Sequence, residues 1–275
     1  MTPLYAVYTV GTAAPVRLHP REHGAYAIVG VPLVVALAIG GLNSVALLGT
    51  IATIAGFVAN ESLMVLSGRQ GERARLSTPA ALSTLTVLLL ITIVFGSSAF
   101  WLGSEQVQVT LIACTFFAVA GYAMSVAGWQ RTLVAQLTGI VGLTLPSAVV
   151  LLAGEIDSAS IVCLSAAWII GRVATTIAIR SVVEFNKAST HHRVPFTNDV
   201  ILTAAVLACG SSVFCGMSEC LLITPVVISA IWLRLQPPLI RHMRQIGWSL
   251  LAANIISGLW MIAWFGMNSP IVPSQ

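Results

Sequence analysis

Apolar residues in this chain gather in long runs separated by short polar connections. A helix needs ~20 predominantly apolar residues to cross ~30 Å of hydrocarbon. Runs near that length lie at 24–42, 44–66, 79–102, 107–127, 132–153, 158–180, 199–217, 220–236 and 246–266, which predicts nine spanning helices. The seventh and eighth are the shortest and are joined only by "GMSE", so a re-entrant hairpin is the competing reading there. The predicted fold class is all-α, a polytopic transmembrane bundle forming one domain over 24–266, with an N-terminal segment 1–23 and a tail 267–275.

Composition agrees. With 57% apolar residues, 8% charged residues and a mean hydropathy of +0.93, the chain does not resemble a soluble domain, in which about 25% of residues are charged. The expected surroundings are a bilayer, and no nucleic-acid partner is expected. Residues 1–16 carry no basic n-region followed by an apolar stretch and a small-residue cleavage site, so the first helix is expected to insert the chain itself.

Charge gives the orientation, because Lys and Arg collect on the cytoplasmic side. With the N-terminus inside, the inner segments hold Arg17 and Arg21, then Arg69, Arg73 and Arg75, then Arg131, then Arg180, Lys187 and Arg193, then Arg234, Arg241 and Arg244. The remaining basic residue, Arg172, lies within the sixth run. The outer connections carry only acids, Glu105, Glu155, Asp157 and Glu219. The pattern predicts an N-inside, C-outside protein, with a bacterial plasma membrane as the expected location.

All five histidines, at 19, 23, 191, 192 and 242, also fall on the inner side, yet no Cys or carboxylate accompanies them at ligand spacing. No metal site is therefore assigned. The cysteines read mostly as small apolar fillers, except that Cys215 and Cys220 bracket an outer turn in "FCGMSEC" and would be able to pair in an oxidising space.

Ionisable and amide side chains inside the runs are the candidate chemistry, since such groups are costly in lipid and face a polar cavity or a partner. The second run carries Asn60 and Glu61. The sixth carries Arg172, and its continuation Arg180 and Glu184. Eight residues separate Arg172 from Arg180, ~12 Å along a helix and ~80° of rotation. Arg21, Glu22 and His23 open the first helix in "PREHGAYAIVGVP". These eight residues all lie in the inner half, where one cavity would suit an anionic head group, with Arg giving bidentate phosphate contacts. Two structural readings compete: a Glu61–Arg172 ion pair that only locks two helices, and a simple helix cap at the mouth of the first helix, where Glu22 favours the dipole.

"PREHGAYAIVGVP" resembles the opening motif of the YwiC-like family of bacterial integral membrane proteins, and "GRVATTIAIRSVVEF" more loosely resembles a later glycine-to-arginine segment of that family. That resemblance implies a membrane architecture without a reaction. A more distant one is to UbiA-type intramembrane prenyltransferases, which have nine helices and bind a prenyl diphosphate through magnesium at aspartate-rich motifs on helices two and six. Asn60 and Glu61 match the start of the first motif, but Met64 and Gly68 stand at later acidic positions and Arg180 stands where an acid is expected in the second. The loop "GRQGERARLSTPAAL" resembles the basic connection after the first motif. A site with only Glu61 and Glu184 is poor in carboxylates for magnesium.

Two functions follow. One is a degenerate UbiA-like enzyme binding an isoprenoid phosphate or diphosphate from the cytoplasmic side, with His23 and Glu61 as catalytic candidates and Arg21, Glu22, Asn60, Arg172, Arg180 and Glu184 binding substrate; an unperturbed imidazole, with a pKa of ~6.5, is the natural side chain for proton transfer near neutral pH. The other is a carrier or permease for a small anion with Arg172 at mid-depth, and a non-catalytic scaffold is the plain third reading. Prolines at 32, 146 and 225 would bend helices around a cavity in any of these.

Overall fold

The computed structural model describes residues 18, 23–129, 132–187, 196–214 and 218–268. Among them the regular structure is helical throughout: α1 (His23–Gly40), α2 (Ser44–Leu66), the short α3 (Glu72–Ser77), α4 (Ala80–Leu102), α5 (Glu105–Ala127), α6 (Leu133–Ala153), α7 (Ser158–Lys187), α8 (Phe196–Phe214), a 3-10 segment Ser218–Ile223 running into α9 (Thr224–Leu235), and a 3-10 turn Ile240–His242 before α10 (Met243–Asn268). Six of these, α2, α4, α5, α6, α7 and α10, are long and apolar enough to cross a membrane. The apolar part of α1, Tyr26–Gly40, is shorter.

Most bounds follow the apolar runs closely. The exceptions have physical causes. Helix α7 continues to Lys187, well past the end of its apolar run at 180, because the polar residues beyond Arg180 find side-chain partners and let the helix proceed. The run 220–236 is divided, since Pro225 at the start of α9 has no N–H to extend a helix from the N-terminal side, and a 3-10 segment occupies residues 218–223 instead.

Helix ends are closed by local chemistry. Gly41 (φ 81°) ends α1 and Gly128 (φ 84°) ends α5 in the left-handed conformation that glycine adopts without a Cβ penalty. Asn43 starts α2: its Oδ1 accepts from the Ala46 N–H at 2.8 Å, while its Nδ2 donates to the Ala153 carbonyl at 2.7 Å. One side chain thus caps α2 and ties it to the end of α6. At the other end of α2, Arg69 Nε donates to the Val126 carbonyl at 2.8 Å, placing a cation on the C-terminal carbonyls of α5.

Helix α1 packs against α6 and α10, α7 against α6, α8 and α9, and α2 against α4 and α6. The main core gathers Leu33, Val150, Leu164, Trp168, Ile223, Val226 and Met261 from α1, α6, α7, the 3-10 segment, α9 and α10. A second core joins Ile177 and Val182 of α7 to Leu202, Leu233 and Ile246. Helix α7 belongs to both and is the axis of the bundle.

Candidate functional site

Arg172 stands at the middle of α7 and is only 6% exposed. Its Nη1 donates to Thr144 Oγ1 at 3.0 Å and its Nη2 donates to the Ile28 carbonyl. The second bond has a cause in the sequence of α1. Pro32 has no N–H, so the carbonyl four residues earlier, that of Ile28, lacks its intrahelical donor. Arg172 supplies one from the neighbouring helix.

Both acceptors are neutral. The three ion pairs among the described residues are Glu72–Arg75, Arg180–Glu184 and Asp199–Arg234, so among the described residues no carboxylate pairs with the guanidinium of Arg172. The Glu61–Arg172 pair, one of the competing structural readings of the sequence, does not form: Glu61 Oε2 instead accepts from Gln70 Nε2 at 3.0 Å, across the end of its own helix. Asn60 is half-buried next to it.

Arg180 lies two turns further along α7. Its Nη1 donates to Gln136 Oε1 at 3.2 Å, and its Nη2 is 4.0 Å from Glu184. Gln136 and Thr144 are eight residues apart on α6, as Arg172 and Arg180 are on α7, and the two helices run antiparallel. The seam therefore has two matched polar rungs ~12 Å apart. Glu184 Oε2 accepts from Asn198 Nδ2 at 2.8 Å, and the same amide donates to Ser181 Oγ at 3.2 Å, which joins α8 to the seam. Asp199 and Arg234 then make a two-bond pair at 2.6 and 2.9 Å between α8 and α9.

Of the residues singled out in the sequence, Arg180 and Glu184 are in contact, Arg172 belongs to the same seam, and Asn60 and Glu61 sit at the end of α2. Arg21 and Glu22 lie outside the described residues, as does the side chain of His23. Sequence reasoning missed Thr144, Gln136, Gln70 and Asn198. The matching eight-residue spacing on α6 and α7 was a usable signal, as was Pro32 four residues after Ile28.

No three His, Cys, Asp or Glu side chains among the described residues come together in a way that would hold a metal ion. Glu61 and Glu184 are each engaged with amide side chains, so the donor set does not fit a magnesium-bridged diphosphate.

No curated protein matches the chain. The family model described as YwiC-like protein matches residues 19–151, just under half of the 275 residues and reaching from the start of α1 nearly to the end of α6. Helices long and apolar enough to cross a membrane occur both inside that stretch and beyond it, and the chain is a multi-pass membrane protein that is YwiC-like over residues 19–151.

Proposed function

We propose that the protein binds an anionic group within the bundle, an isoprenoid phosphate or diphosphate entering from the cytoplasmic side of a bacterial plasma membrane, with Arg172 as the deep cation and Arg180 nearer the mouth. The observation that carries this reading is a buried guanidinium whose acceptors among the described residues are neutral. A buried ion costs several kcal/mol to desolvate, and a carbonyl and a hydroxyl compensate its charge only in part. An incoming phosphate would take over these N–H donors and add the missing charge. Nine spans with the N-terminus inside, in a UbiA-like arrangement, are part of the proposal; they put Arg180 and the Asn60–Glu61 pair toward the cytoplasm.

The carboxylate-poor donor set favours charge neutralisation by arginine over magnesium. Recognition of an anion is thus the core of the proposal, and prenyl transfer with His23 and Glu61 in proton-transfer roles is its enzymatic extension.

The test is thermal stability of the detergent-solubilised protein with farnesyl diphosphate, with undecaprenyl phosphate, and with inorganic phosphate or sulfate. Stabilisation by an isoprenoid phosphate that disappears in Arg172→Leu is the expected result. Stabilisation by the inorganic anions alone would replace the lipid reading with a small-anion carrier. A wild-type protein that none of the anions stabilises would overturn anion binding and leave Arg172 as a helix clasp.

A further inference from the structure

Three cysteines from three elements meet at the end of the bundle opposite Arg180: Cys163 in the second turn of α7, Cys209 in α8 and Cys220 in the 3-10 segment. All three are buried free thiols, with Cys163 4% and Cys220 1% exposed. Cys220 Sγ donates to the Cys163 carbonyl at 3.5 Å, which brings its thiol against the backbone that carries the Cys163 side chain. Cys209 Sγ instead points to the Cys220 carbonyl, at 3.4 Å. The thiol of Cys220 is thus directed at residue 163 and not at residue 209. The pairing expected from "FCGMSEC" involves Cys215, which lies outside the described residues; Cys220 turns its thiol toward α7.

We propose that Cys163 and Cys220 are a disulfide-forming pair that staples the 3-10 segment to α7 at the outer face of the membrane. The outer placement rests on the N-inside orientation proposed above, in which Asp157, just before α7, and Glu219, next to Cys220, belong to the outer connections. The oxidant is a disulfide-bearing thiol oxidase of the outer compartment. One disulfide of the oxidase is consumed, the two cysteine thiols lose their protons and two electrons, one S–S bond forms between Cys163 and Cys220, and the oxidase leaves with two thiols. Exchange takes place before the segment seats on α7, because the seated sulfurs are shielded. The same burial then protects the bond from reductants. The staple matters here because residues 218–223 are held in a 3-10 turn, without the full hydrogen-bond ladder of an α-helix.

The experiment uses the full chain in membranes, with thiols trapped by acid at lysis, alkylated in denaturant before and after reduction, and mapped by peptide mass spectrometry. The expected result is a Cys163–Cys220 linked peptide, with Cys114, Cys209 and Cys215 alkylated without reductant. Reduction in denaturant followed by refolding should also lower the melting temperature of the wild type by about 5–10 °C and leave Cys163→Ala unchanged. Five thiols alkylated without reductant would overturn the proposal, and so would a Cys215–Cys220 peptide. In the first of these cases, diamide present while the denatured protein refolds in detergent, so that the thiols are accessible before the segment seats, separates the causes. Formation of the 163–220 bond under diamide would mean that the orientation was wrong, whereas no bond would mean that the geometry was.

Discussion

Helices α5 and α7 are both apolar enough to cross a bilayer, yet none of the most apolar stretch of α5 is buried within the protein, against 56% of that of α7. Helix α4 resembles α5, at 6%. The flank formed by α4 and α5 presents Leu90, Ile93, Ile112, Phe116 and Val119 outward, where lipid tails are as apolar as the side chains themselves. The axis formed by α7 and its neighbours is where glycines let backbones touch, where polar rungs cross, and where the deeply buried Arg172 sits. Hydrophobicity alone identifies both regions as spans, but it does not distinguish a lipid-facing helix from one that carries the site.

The sharpest way to break this contrast is to add one methyl group to each region. A Cβ at Gly154 would fall on the backbone of Gly40, where α1 meets the end of α6, whereas one at Gly121 of α5 meets nothing within 4 Å. Backbone cannot rotate out of the way. Gly154→Ala is expected to cost ~3 kcal/mol by forcing α1 off α6, and it should also disturb the nearby bond from Asn43 to Ala153. Gly121→Ala is expected to be neutral or to stabilise by up to ~1 kcal/mol through helix propensity. Reversible unfolding in mixed detergent measures both. Equal losses at the two positions would mean that α5 packs against something other than lipid.

A smaller effect tests why Arg172 is tolerated. Arg172→Met should leave the Ile28 carbonyl without a donor and cost ~1–3 kcal/mol. Changing Pro32 to Ala as well restores an N–H within α1 that reaches the same carbonyl. The double variant Pro32→Ala/Arg172→Met is therefore expected to recover most of the loss, so the two changes should not add. On the flank, Tyr122 also donates to a helix carbonyl, that of Gly56, but no proline has freed that carbonyl. Tyr122→Phe should cost less than ~1 kcal/mol.

These outcomes bear on how much could be read from the chain alone. The run 44–66 coincides with Ser44–Leu66 because apolar length is a direct demand of the bilayer. The short helix Glu72–Ser77 escaped, since six polar-rich residues give no hydropathy signal. For the site, Arg172, Arg180 and Glu184 were visible as charges inside apolar sequence. Their partners were less so. Thr144 and Gln136 are ordinary residues in membrane helices until the antiparallel register of α6 and α7 pairs them, and the other acceptor of Arg172 is a backbone carbonyl. The competing reading in which Glu61 pairs with Arg172 failed because opposite charges on the second and sixth runs say nothing about which helices touch. Gln70 is nine residues from Glu61 in sequence and reaches it first.

The smallest expected effect lies at the helix starts. Asp157 Oδ1 accepts the Ser160 N–H at 2.9 Å and so caps α7, whereas Ser104, in the same position before α5, makes no side-chain cap bond. Hydrogen bonds from the Ser160 side chain and then its backbone N–H hold the Asp157 carboxyl below the usual carboxylate range. Asp157→Ala should therefore cost ~1 kcal/mol at neutral pH, and Ser104→Ala close to nothing. The sign with pH follows from the direction of the shift. A carboxyl that is harder to protonate when folded stabilises above its unfolded value, ~3.9, and that contribution fades as pH falls through the lower folded value. Asp157→Asn provides the control, because an amide caps without titrating. Wild type and Asp157→Asn should melt close together at pH 7, and the wild type should lose more on acidification to pH 3. A constant gap between them at both pH values would show that the carboxylate does not cap α7 in the membrane.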